Sequence, residues 1–107
     1  MPRASTTSDP FNAIAEPRRR HILELIAAEE RSVSEIADAL ELEQPSVSKH
    51  LQVLRDVDLV TVRRDGRRIL YRTNAETLRT IHDWCGMFAR HWRSQLRRIK
   101  AHAEEER

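Results

Sequence analysis

Asp65-Gly66 constrains this chain more than any other pair of neighbours. It sits inside Leu59-Val60-Thr61-Val62-Arg63-Arg64-Asp65-Gly66-Arg67-Arg68-Ile69-Leu70-Tyr71-Arg72, where apolar and polar residues alternate on both sides. Asp-Gly between two alternating runs is a strong hairpin signal, because tight hairpin turns need residues that accept a positive φ. A two-residue turn at Asp65-Gly66 predicts that Arg64 pairs with Arg67, Val62 with Ile69 and Val60 with Tyr71. Val60, Val62, Ile69 and Tyr71 then share one face, as a half-buried ribbon requires. The same register puts Leu70 on the outer face.

The rest of the chain is helical in pattern. Residues 1–8 are expected to be a disordered tail. Asp9-Pro10 suits a helix start, with the carboxylate as cap and proline in the first turn. Phe11, Ile14 and Ala15 form its short apolar face. Pro17 disfavours a helical residue before it and opens a second helix running to about Glu29, with Ile22, Leu23, Leu25 and Ile26 as its stripe. Ser32-Val33-Ser34-Glu35 fits a capping box. A short helix follows, with Val33, Ile36, Ala37 and Leu40 facing inward. Glu41-Leu42-Glu43 makes a turn, and Gln44-Pro45 opens a fourth helix that ends near Val57. After the hairpin, one long helix is expected from about Ala75 to His102. Its stripe is Leu78, Ile81, Cys85, Phe88, Trp92, Leu96 and Ile99, with Trp84 beside it. Residues 104–107 are expected to fray, which leaves 9–103 as the folded domain. Two short helices joined by a tight turn and followed by a hairpin make a winged helix-turn-helix. The predicted fold is mainly α with one β-hairpin: about five helices plus a two-stranded wing.

The fourth helix has two distinct faces. At about 100° per residue, Val47, Leu51 and Leu54 fall in one narrow arc and must dock on the domain. Pro45, Lys49, Gln52 and Asp56 lie opposite, flanked by Ser48 and Arg55. Such side chains offer donors and acceptors to base edges and phosphates without bulk that would block a groove, and a major groove admits a helix. Gln44, Ser46, Ser48, Lys49, His50 and Gln52 are the candidate reading residues. Arg63, Arg64, Arg67 and Arg68 bracket the hairpin tip and suit phosphate contact or a narrow minor groove.

Charge distribution supports a polyanion partner. Net charge is only +2 over 107 residues. Yet residues 44–73 carry seven bases against three acids, whereas residues 32–43 carry four acids and no base. A mild total hides a basic segment. Nothing approaches the roughly 20 apolar residues of a membrane span, and the N-terminus lacks an apolar signal core. A single cysteine, Cys85, allows no internal disulfide. The cytoplasm is the expected location. No glycine-rich phosphate loop, metal cluster or partnered nucleophile points to an enzyme, so no catalytic residue and no cofactor is assigned.

At Glu16-Pro17-Arg18-Arg19-Arg20-His21-Ile22-Leu23, Ser32-Val33-Ser34-Glu35-Ile36-Ala37, Gln44 through Leu54, and Asp65-Gly66-Arg67-Arg68 before Tyr71, the chain resembles the ArsR family of bacterial transcriptional repressors. The resemblance covers about residues 10–100. It implies a homodimer whose first and last helices form the interface, each subunit presenting a reader helix to half of a near-palindromic double-stranded operator. Phe11, Ile14, Ile81, Trp84, Phe88, Trp92, Leu96 and Ile99 are the expected interface residues. The operator could include the chain's own promoter.

Many members of that family sense metals. One site type places a Cys-x-Cys pair in the helix before the reader, and Val33 to Leu40 holds no cysteine. Another uses Asp and His residues of the last helix from both subunits. Here that helix offers His82, Asp83, Cys85, His91 and His102. On one straight helix His82 and His91 would lie about 180° apart, and His91 and His102 about 16 Å apart, so neither pair makes a site within one chain. The expectation is no metal site, with Cys85 as packing. The Trp84 to Trp92 segment resembles the branch of the family without the metal motifs, whose inducers are generally unclear, and no effector is assigned. Two alternatives stay open from sequence: a metal-responsive repressor with an intersubunit site on the last helix, and a winged-helix protein-interaction module.

Overall fold

A computed structural model of the chain describes residues 9–105; the expected tail at 1–8 and residues 106–107 lie outside them. The elements are α1 (Pro10–Ala13), α2 (Pro17–Ala28), α3 (Val33–Leu40), α4 (Gln44–Asp56), β1 (Val60–Asp65), β2 (Arg68–Thr73), α5 (Ala75–Gly86) and α6 (Ala89–Glu105). The helix starts follow local chemistry. Asp9 accepts from the Phe11 amide and Glu16 from the Arg18 amide, with Pro10 and Pro17 in the first turns. Ser32 and Glu35 form the full capping box of α3, each side chain bonding the other's backbone N–H. Asn74 caps α5. Glu41 closes α3 in the left-handed region at φ 55°, which turns the chain sharply into α4.

The core gathers between α2, α3, α4 and the base of the hairpin. Ile22, Ile26, Ile36, Val47, Leu51, Leu54 and Leu59 are fully buried, each contributing about 1.5–3 kcal/mol on leaving water. Val47, Leu51 and Leu54 form the apolar arc expected of the fourth helix, so the polar arc of α4 is turned outward.

Three features differ from the sequence reading. First, the hairpin register is shifted by two residues: Val62 pairs with Tyr71, Arg64 with Ile69 and Asp65 with Arg68. The turn residues are Gly66 and Arg67, and only Gly66 takes a positive φ, 63°. A turn centred on Asp65-Gly66 would demand positive φ from Asp65 as well; moving it forward by one position leaves that conformation to glycine alone. A shift of two in pairing keeps every side chain on its original face. Ile69, however, now lies near the tip and is 42% exposed.

Second, Leu70 is buried, not on an outer face. The α2–α3 connection covers it: Arg31 exchanges two backbone hydrogen bonds with Tyr71, adding a one-residue third strand beside β2. Leu70 shares the resulting cleft with Ala28, Glu30, Glu35 and Arg63.

Third, the last helix is two helices, making six in all among the described residues. The Met87 amide bonds the carbonyls of Asp83 and Trp84, and the Phe88 amide bonds that of Cys85. The bonds to Trp84 and Cys85 span only three residues, and this tightening around Gly86, a poor helix former, ends α5 before α6 restarts. α6 continues through Glu104 and Glu105, where the sequence pattern suggests fraying.

Candidate nucleic-acid interface

The exposed side of α4 carries Gln44, Ser48, Lys49 and Gln52. The helix starts on Glu43 without a side-chain cap, so no carboxylate or hydroxyl occupies its first-turn amides. Gln52 donates from Nε2 to Asp56 Oδ1 at 2.8 Å. Asp56 lies one helical turn on, so the bond orients the Gln52 amide. Ser46 and His50 are half-buried. His50 turns toward α2, where its Nδ1 lies 3.5 Å from an Arg19 guanidinium nitrogen. Partial burial, and then the Arg19 charge, hold its pKa below the usual histidine value, against the opposing pull of Glu16. The side chain is therefore tied to the body of the domain as well as to the reader helix.

Arg19 and Arg20 carry no sequence signal beyond their place in the family resemblance. Arg19 Nε donates to the carbonyl of Ala13 at 2.6 Å, and Arg20 donates to Ile14 at 2.7 Å and Ala15 at 3.2 Å. These guanidinium groups satisfy the open carbonyls where α1 ends, and so hold α1 against α2.

The four wing arginines are all exposed, but their partners differ. Arg63 forks onto both carboxylate oxygens of Glu30, its Nε at 2.9 Å from each. That bond holds the Glu30 carboxyl below its usual pKa and raises Arg63 above its own. Arg68 bonds Glu35. The Glu35 pKa is lowered first by its capping bond from the Ser32 backbone, with Arg68 adding to it. Arg64 and Arg67 have no ion pair among the described residues. No sequence signal announced Glu30 or Glu35 as partners, because each pair spans 33 residues.

A second exposed surface is built on α5 and α6. Phe11 of α1 meets Trp84 of α5 edge to face, with ring centroids 5.3 Å apart, and Trp84 meets Phe88 at 5.1 Å. Both are favoured edge-to-face geometries. Trp84, Phe88, Trp92, Leu96 and Ile99 are all exposed large apolar groups. Ile14 and Ile81 are half-buried against this chain's own core. His82 and Asp83 sit side by side at 3.3 Å. The break after Gly86 separates them from His91, so the straight-helix angle between His82 and His91 does not apply. No group of three metal-ligating side chains converges among the described residues. None of their helices is long and apolar enough to cross a membrane.

Residues 16–62, from the start of α2 into β1, match the model of the bacterial regulatory protein, arsR family. The transcriptional repressor SdpR of Bacillus subtilis is 32% identical over 74 residues, covering 69% of this chain and 82% of that protein. The chain belongs to the ArsR family. The HTH-type transcriptional repressor SmtB of Mycobacterium tuberculosis is 43% identical over 62 residues, which are 58% of this chain but only 46% of SmtB, so the match spans about half of that relative's length. The solution structure of the homodimeric winged helix-turn-helix DNA-binding domain Mb0332 from Mycobacterium bovis superposes with a TM-score of 0.62 at 28% identity, covering 83% of this chain and 93% of that one. The winged helix-turn-helix and its helix order are those of the family, and the function is DNA-binding regulation of transcription, not catalysis.

Proposed function

We propose that this ArsR-family member is a cytoplasmic homodimeric repressor that reads a near-palindromic operator with α4 and grips the flanking backbone with its wing. The observation that carries this reading is the two-sidedness of α4. Its apolar arc is completely buried, and its outward arc runs from Gln44 and Pro45 through Ser48, Lys49 and Gln52 to Arg55 and Asp56, polar apart from Pro45 and with no acid before the last turn. In this reading Gln44, Ser48, Lys49 and Gln52 face the groove, and Ser46 and His50 border it. Arg64 and Arg67 add salt-dependent affinity. The exposed aromatic and aliphatic face of α5 and α6 is the natural seat of the second copy. The named repressors among the relatives and the homodimeric Mb0332 domain support this reading.

The test is fluorescence anisotropy with the chain's own promoter region and with random duplex, at low and at physiological salt. Promoter binding well above random binding, in a two-to-one protein-to-operator ratio, is expected. Gln52→Ala should change sequence preference, and Arg67→Ala should weaken all duplexes alike. Equal loss on both probes for Gln52→Ala would remove α4 from the reading role. No binding to any duplex at low salt would point instead to a protein-interaction module. Loss of binding on adding Zn²⁺, reversed by chelator, would assign a metal-responsive repressor.

A further inference from the structure

We infer that the wing arginines have divided roles: Arg63 and Arg68 are positioning residues that latch the wing to the domain through Glu30 and Glu35, leaving Arg64 and Arg67 to meet phosphate. The inference deepens the DNA-reading function proposed above and rests on it.

The division follows from strand alternation. With Asp65 opposite Arg68 and Arg63 opposite Leu70, the side chains of Arg63, Arg68 and Leu70 share one face of the hairpin. That face looks onto the end of α2 and the start of α3, where Glu30 and Glu35 stand. Arg64 belongs to the other face with exposed Ile69, and Arg67 is in the turn itself. Arg63, whose Nε edge already forks onto Glu30, has neither that edge nor its full charge left for a phosphate, and Arg68 has one terminal nitrogen committed to Glu35.

The backbone bonds between Arg31 and Tyr71 fasten the wing at mid-ladder, where Tyr71 pairs with Val62. Arg63–Glu30 holds the next rung, and Arg68–Glu35 carries the attachment out to the last rung before the turn. Glu35 has a second duty as the third residue of the α3 capping box, and α3 is the helix on which α4 packs. The wing tip and the reader helix are thus referenced to the same few residues. Their spacing is set before DNA arrives, so less ordering is required on binding. Exposed ion pairs add little to global stability, which makes geometry, not stability, the quantity these two pairs control.

The test uses the whole chain and has two arms. In the free protein, hydrogen exchange reads the wing amides of residues 60–73. Glu30→Gln and Glu35→Gln remove a charge each, and glutamine keeps the capping box. Both should speed wing exchange by about two- to fivefold, and the swap E30R/R63E should restore the parent rate. In the DNA arm, Arg67→Ala should lower the salt slope by about 0.9 for each phosphate no longer neutralised. R63E alone should weaken binding, and E30R/R63E should return affinity and salt slope to the parent's. A swap that binds as poorly as R63E would show that Arg63 itself meets phosphate and would overturn the latch. Unchanged wing exchange in both glutamine variants would overturn it equally. If the parent bound no duplex, the DNA reading would fall while the exchange arm still decided whether the latch exists.

Discussion

The Thr73 hydroxyl donates a buried 2.7 Å hydrogen bond to the main-chain carbonyl of Leu23, fifty residues earlier in the chain. It joins the last residue of β2 to the middle of α2, so the exit of the wing is fixed on the core helix. Thr73→Val keeps the shape and removes the donor. The expected loss is about 1 kcal/mol, because a buried acceptor loses its hydroxyl partner. Urea unfolding should show a lower midpoint with an unchanged slope. A variant as stable as the parent would mean that this bond adds nothing beyond packing.

Gln52 and Asp56 make a second separable prediction. The 2.8 Å bond to Asp56 holds one end of the Gln52 amide. It leaves the amide carbonyl and the remaining N–H free for a base edge. Asp56→Ala should therefore relax sequence preference at the base pair Gln52 meets, while also removing a negative charge that repels phosphate. Affinity for random duplex should rise as that preference relaxes. A selection experiment over a randomised half-site measures both. If preference is unchanged, Gln52 is oriented by the DNA and not by Asp56.

Much of this was legible in the residues. Pro10, Pro17, Ser32 with Glu35, and Pro45 are local signals, and each marks a helix start found in the structure. The reader helix was legible because a helical period separates Val47, Leu51 and Leu54 from the polar arc. The hairpin was legible as an element but not in register, since one position of turn placement changes the pairing by two. Leu70 could not be placed because its cover, the Arg31 bridge and the Glu30 cleft, comes from the α2–α3 connection, far earlier in the chain. The break after Gly86 was hidden by an apolar stripe that continues across it. The same distance limit hid the partners of Arg63 and Arg68, and so the difference between them and Arg64 and Arg67.

His50 predicts a pH dependence. Its folded pKa lies below the ordinary 6.5, through partial burial first and the Arg19 charge second. Below about 6.5 the unfolded chain takes up a proton more readily than the folded one, so stability falls with pH in that window and is regained above it. The lowered carboxyl values of Glu16, Glu30 and Glu35 act in the same direction but only below about 4.5. Unfolding midpoints measured from about pH 7.5 to 5 should decline in the parent and be flatter in His50→Gln. Parallel profiles would mean that His50 does not carry the decline.

The exposed face of α6 predicts how the chain assembles. Leu96 is 65% and Trp92 55% exposed in a single copy, yet both lie on the same stripe as Phe88 and Ile99. An apolar surface of this kind marks an interaction site. Because Leu96 touches little of its own domain, Leu96→Glu should leave the fold intact, as judged by circular dichroism and thermal unfolding of the helix-turn-helix core. In the second copy it would meet apolar groups and bury an unpaired charge. Sedimentation should then show a monomer for the variant and a dimer for the parent. Operator affinity should drop by about a hundredfold or more, since two linked readers gain that much from effective concentration. Affinity of each monomer for random duplex should change far less. A Leu96→Glu protein that sediments as a dimer would place the interface elsewhere on the chain, with the aromatic cluster of Phe11, Trp84 and Phe88 as the next surface to probe.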